Sequence, residues 1–247
     1  MIAWLRDTTA MYGRALGQAA RLLPRNPVLV LPALACLLVP MLVLVLLSSV
    51  ASALGAFGGL LVGILSVLVE SACWSALLAS TGEVIRARRL VVADVRAGFV
   101  AYLGDVINVR FVVWLISFAS AGLPGPMGVM IWLAMVTFFN AVPELIYLGR
   151  YGTAELLAAS YRFIGERWIE WFPLNLLLLL GGVALAALVL AMGMQPGARM
   201  PTDGAMLAAL VVVAVWLAFA MLARGVLFLE LTESNPRARA FRRAAGA

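Results

Sequence analysis

Residues 172–194 run without one charged side chain. As a helix this stretch is about 35 Å long, enough to cross a hydrocarbon core of about 30 Å. Five more apolar runs occur, at 28–50, 57–80, 108–121, 127–149 and 204–229. A water-soluble core cannot absorb that much apolar surface. The chain is 64% hydrophobic and 12% charged, about half the charged share of a soluble domain. The pattern predicts an all-α integral membrane protein of six transmembrane helices.

The runs alternate with polar stretches that repeat. Leu5, Tyr12, Leu16, Ala19 and Leu23 recur at helical spacing, with Arg14, Gln18, Arg21 and Arg25 on another face. Asn26-Pro27 ends that stretch. A second amphipathic helix follows Asp94, a plausible N-cap, through Val95, Phe99, Tyr102 and Val106. A third covers residues 151–167, with Arg162 and Glu166 paired at i,i+4. It is expected to turn at 168–173 into the next span. Trp168, Trp171 and Tyr161 read as an interfacial aromatic belt. The chain thus divides into residues 1–80, 81–149 and 150–229, each an amphipathic elbow helix feeding a membrane hairpin. They form one membrane domain, with a basic tail at 230–247. A pseudo-threefold arrangement is the expectation from this repeat.

All 18 basic residues are arginine, and histidine is absent. This composition suggests a high-GC bacterial genome. Seventeen of the arginines fall in or beside the N-terminal segment, residues 81–107, residues 150–171 and the tail; only Arg199 lies in an opposite loop. The positive-inside rule then puts both termini and the elbow helices on the cytoplasmic side of a bacterial inner membrane. No signal-peptide pattern is evident, so residues 1–27 are expected to stay on the protein. Arg14, Arg21, Arg25, Arg86, Arg88 and Arg89 read as contacts to anionic lipids of the inner leaflet rather than to nucleic acid. Gly55, Gly59 and Gly63, four apart, favour close helix packing within or between protomers.

The segment Gly152-Thr153-Ala154-Glu155-Leu156-Leu157-Ala158-Ala159-Ser160, then Phe163, then Glu166-Arg167-Trp168 before an apolar run, resembles a group of bacterial and archaeal six-helix membrane families. They include the membrane domain beside some glycerophosphodiester phosphodiesterases. Arg25-Asn26-Pro27-Val28-Leu29-Val30-Leu31-Pro32 is similar to their opening, and looks more loosely like the entry of CysZ-type sulfate permeases. The resemblance implies a six-helix fold with elbows. It carries no catalytic residues, and the phosphodiesterase activity does not transfer.

Intramembrane polar residues are the candidates for chemistry, because a charge at depth must be paired, neutralised or hydrated. Glu70 lies roughly 15 Å from the inner end of its span. Arg110, Asn140, Glu144 and Arg224 lie within a turn or two of the inner face, with Asn175 at the start of span five. Pairs of Arg110 with Glu144, or Arg224 with Glu70, could line a polar pathway; snorkelling arginines are the structural alternative. Cys36 and Cys73 sit at similar depth, as a redox pair or as small apolar residues. Met192, Met194, Met200 and Met206 cluster toward the outer loop without a nitrogen or thiolate ligand beside them. No nucleotide, metal or hydrolase motif occurs, so no cofactor or enzymatic activity is expected. The expected function is a non-enzymatic scaffold or accessory subunit engaging lipids or other membrane proteins; the alternative is a small transporter using Glu70 and the polar cluster. Against transport stands the absence from the sequence of an evident pair of broken spans.

Overall fold

A computed structural model describes residues 2–123, 125–149, 151–193 and 203–233. Expectations for Met194, Met200, Arg199, the 195–202 loop and the arginines of the tail lie outside the described residues.

Helix α1 spans Ile2–Arg25 and stops where Asn26-Pro27 begins a single 3-10 turn, Pro27–Leu29. The stretch Val30–Ala87, α2, comprises two helical spans. It turns between them at Gly55, whose φ of 60° and ψ of −138° suit a residue without Cβ. Then follow α3 Val92–Ala101, α4 Leu103–Ala121, α5 Gly125–Phe138, α6 Val142–Leu148, α7 Thr153–Gly193 and α8 Asp203–Glu233.

Six segments are long and apolar enough to cross a bilayer: Pro27–Ser48, Phe57–Ala87, Leu103–Ala121, Gly125–Leu148, Ala154–Leu188 and Leu207–Glu233. Their outward faces carry Leu44, Leu46, Phe57, Phe118, Met130, Leu179 and Val183, all more than half exposed. A soluble domain does not present contiguous apolar surface on this scale. The chain is a multi-pass integral membrane protein.

Three local details differ from the sequence expectations. The helix expected to begin at Asp94 begins at Val92. Asp94 stands in its first turn, and its Oδ2 accepts the Val91 N–H at 3.0 Å. The turn expected at 168–173 is instead continuous helix. Pro173 costs α7 the bond to the Ile169 carbonyl but does not end it. The third correction concerns α1. The stripe expected at Leu5, Tyr12, Leu16, Ala19 and Leu23 is rotated: Met11, Ala15, Ala19 and Leu22 are buried, the helix packs on α8, and Tyr12, Leu16 and Leu23 flank that face partly buried. Small residues on that face bring the two backbones close.

The core sits where α1, α8, α6, α7 and the second arm of α2 (residues 56–87) meet. Trp171, Tyr147, Leu77, Leu222 and Leu227 are all fully enclosed there. Helix α3 lies on that arm. A Cβ on Gly98 would stand 3.2 Å from the Ala76 Cα, and Ser75 Oγ donates to the Gly98 carbonyl at 2.7 Å. The same oxygen accepts the Tyr102 N–H at 2.9 Å, at the junction of α3 and α4.

Candidate functional site: a buried ion pair at a helix break

Span four is interrupted. Helix α5 ends at Phe138, residues 139–141 form turns, and α6 restarts at Val142 with Pro143 in its first turn. Proline has no N–H to continue the ladder, so the break leaves carbonyls that must find other donors. Ser160 Oγ of α7 donates to the Phe138 carbonyl at 2.6 Å. Arg224 Nη2 of α8 donates to the Asn140 carbonyl at 2.6 Å.

Arg224 also holds Glu144 in a two-point contact, Nε to Oε1 at 2.7 Å and Nη2 to Oε2 at 2.9 Å. The Glu144 side chain is 0% exposed and that of Arg224 19%. The fork geometry satisfies both carboxylate oxygens, which a buried charge requires. Glu144 stands in the first turn of α6, where the helix dipole also favours a negative charge. Trp171 packs beneath the guanidinium, with Arg224 Cζ 5.4 Å from the ring centroid. The indole Nε1 donates to Asn140 Oδ1 at 2.8 Å. One turn on, Asn175 Nδ2 donates to the Trp171 carbonyl at 2.7 Å.

This network is not closed. Among the described residues, Asn175 Oδ1 and Tyr147 Oη are buried with no protein hydrogen-bond partner, as are Ser71 Oγ and Ser80 Oγ on α2. Tyr147 is gripped between two helices: a Cβ on Gly82 would stand 3.3 Å from its Cβ, and one on Gly225 would stand 2.5 Å from its Oη. Orphaned oxygens in an interior that also holds an ion pair are where a water, ion or solute would be accepted.

A second pair joins Arg110 Nη2 of α4 to Glu70 Oε1 of α2. Its side chains are 30% and 36% exposed, so it borders a surface of the bundle. The two pairings are the reverse of those the sequence suggested. Arg110 meets Glu70, and Arg224 meets Glu144. The structure therefore unites Asn140, Glu144 and Arg224 directly and Asn175 through Trp171, and keeps Glu70 and Arg110 in their own pair.

Trp171 and Tyr147 are the site residues that sequence reasoning missed. Trp171 is fully buried, whereas Trp168 and Tyr161, the other two of the expected belt, are exposed. One signal was present: Trp171 and Asn175 are four apart and so share a helical face. Arg162 donates to the Ala158 carbonyl at 3.4 Å, while the ion pair on this helix joins Arg167 to Glu170 at 3.6 Å.

The remaining candidates fall elsewhere. Among the described residues, a Cβ on Gly55, Gly59 or Gly63 would meet nothing within 4 Å. Arg86 donates to the Tyr147 carbonyl and ties the end of α2 to α6. Arg14 pairs with Glu230 at 3.1 Å; Arg21, Arg25 and Arg89 are exposed. Arg88 ends α2 in the left-handed conformation, φ 62°. Cys36 and Cys73 are free thiols, half-buried and buried. Among the described residues no group of His, Cys, Asp and Glu could hold a metal ion. Comparison with family models, with curated proteins and with solved structures returns no match.

Proposed function

We propose that this protein is a small transporter or permease whose solute or coupling ion is handled at Arg224, Glu144 and Asn140. One observation carries the reading: a fully buried carboxylate, held by an arginine, at the interruption of a membrane helix. Interrupted helices supply backbone groups for ion and solute sites at depth, and membrane proteins keep charges there for such work. A small anion would compete with Glu144 for Arg224. A proton or cation would compete with Arg224 for Glu144. Asn175 Oδ1 and Tyr147 Oη are free to accept a bond from the incoming species.

Sequence features supply the frame: three elbow-plus-hairpin units in a bacterial inner membrane, with the arginine count supporting cytoplasmic termini. The resemblance to six-helix families agrees with that frame and names no solute. On the scaffold reading the pair is a structural tie alone, capping the Asn140 carbonyl at the break, and the buried oxygens of Asn175 and Tyr147 have no role.

The test is water access followed by flux. In a Cys36→Ala, Cys73→Ala background, single cysteines at Asn140, Asn175 and Glu70 are exposed to a charged thiol reagent in membrane vesicles. Labelling of Asn140→Cys and Asn175→Cys from one side is expected. Currents or dye responses to ion jumps in proteoliposomes should then be lost in Arg224→Gln. Unlabelled cysteines at 140 and 175 in well-expressed protein would sink the reading.

A further inference from the structure

A second site lies away from the ion pair. A cavity of about 730 Å³ opens along the polar face of α1. Among the described residues its walls carry Arg14, Arg21, Arg25 and Arg88, against a single carboxylate, Glu230. Arg14 engages that carboxylate at both oxygens, at 3.3 and 3.1 Å. With the Gln18 amide turned so that its oxygen faces Arg88, as the surrounding donors require, that oxygen accepts Arg88 Nη2 at 2.9 Å. The floor is kept low by Gly13 and Gly17, where an added Cβ would meet nothing within 4 Å.

Position gives this cavity its meaning. Arg25 stands just before Pro27, where the first span begins, and Arg88 directly follows Ala87, where the second ends. Glu230 lies three residues before Glu233, the end of the last. Three membrane helices therefore terminate around it, which puts the cavity at the level of the headgroups. Arginine forks match the oxygens of a phosphoryl group, and several of them around one concavity exceed what Glu230 can neutralise.

We infer that this cavity is a binding site for a phosphate-bearing anion, with Arg21, Arg25 and Arg88 as its cationic wall and Glu230 as a competitor that the anion displaces from Arg14. It is independent of the transport reading. The chemistry is shared by an anionic phospholipid headgroup and by a free phosphate, and the two are separated by experiment.

The probes are inorganic phosphate against chloride at matched ionic strength, and nanodiscs containing phosphatidic acid against phosphatidylcholine alone. The readout is thermal unfolding of the full chain, with lipid retention in native mass spectrometry as a second measure. Phosphate, phosphatidic acid or both should raise the midpoint of the wild type. A response to phosphatidic acid alone assigns the site to the lipid headgroup, and a response to phosphate alone assigns it to a soluble anion. Arg21→Gln with Arg25→Gln should weaken the apparent affinity at least tenfold. Gly17→Leu fills the cavity without altering charge and should do the same. Glu230→Gln removes the competitor and should tighten binding. A response to neither probe overturns the site. So does a response that Gly17→Leu leaves intact, because the effect would then be general surface charge.

Discussion

Arg224 and Glu144, 80 positions apart in the chain, meet through two hydrogen bonds of 2.7 and 2.9 Å. The same Arg224 nitrogen that reaches Glu144 Oε2 also caps the Asn140 carbonyl, so one side chain neutralises the carboxylate and repairs the break in span four. Charge pairing and backbone satisfaction are therefore coupled. Neither Arg224 nor Glu144 can be removed alone without stranding a polar group in the core.

Glu144→Gln or Arg224→Gln should each destabilise the protein by about 3–5 kcal/mol, the usual cost of leaving one buried charge uncompensated. The double variant should recover a large part of that loss, because the surviving amides bond to each other. Thermal unfolding in detergent of the two single variants and the double variant measures the coupling. Strict additivity of the two losses would show that the pair is energetically irrelevant.

Tyr147 gives an opposite sign. Its hydroxyl is buried with no protein partner among the described residues, and Gly225 leaves room for it on α8. Tyr147→Phe removes an unsatisfied group and should be neutral or stabilising by up to about 1 kcal/mol. Gly225→Ala should instead cost about 1–3 kcal/mol, since the new methyl collides with Ile85 and the Tyr147 oxygen. A marked loss in Tyr147→Phe would show that the hydroxyl holds a bound water or solute.

The spans were legible because hydropathy is a local property: each apolar run states its own environment whatever it packs against. The polar face of α1 was legible for the same reason, since Arg14, Gln18, Arg21 and Arg25 share a face by periodicity alone. Partner choice was not. Whether Arg110 meets Glu70 or Glu144 depends on the relative depth and rotation of separate helices, which no single stretch encodes. The break at 139–141 was not read, and residues 127–149 were expected as one span. Pro143 removes a donor from the ladder, but a proline is compatible with a continuous membrane helix, and Ser160 and Arg224, from other helices, are what make the interruption tolerable. Pro173 gave the opposite error, because a proline signal fixes a missing bond and not the end of a helix.

The two ion pairs should differ in strength. Glu70 and Arg110 are each about one-third exposed, whereas Glu144 is fully enclosed. If the outer pair borders water, Glu70→Gln should cost no more than about 1 kcal/mol. The measurement is the unfolding midpoint of Glu70→Gln beside that of Glu144→Gln. A reversed ranking would set the Glu70–Arg110 pair against hydrocarbon, where no screening relieves the loss.

Asn26 sets the last expectation. It is 2% exposed and links the end of α1 to the junction of α2 and α3. Its Nδ2 donates to the Leu22 carbonyl at 3.0 Å and to the Arg88 carbonyl at 3.3 Å, while Oδ1 accepts the Leu90 N–H at 2.9 Å. Those bonds hold Arg88 in its left-handed conformation, which a residue with a Cβ adopts at a cost of about 1–2 kcal/mol. Asn26→Ala should lose about 2–4 kcal/mol, because it strands buried backbone groups as well as breaking bonds. Arg88→Gly relieves the backbone strain at the same junction. Adding it to Asn26→Ala should therefore restore part of the stability, by about 1 kcal/mol. Limited proteolysis between residues 87 and 92 reads the junction directly: cleavage should quicken in Asn26→Ala and slow again in the double variant. Unchanged cleavage in Asn26→Ala would mean that packing of α3 on α2, through Gly98 and Ser75, holds the junction without the asparagine.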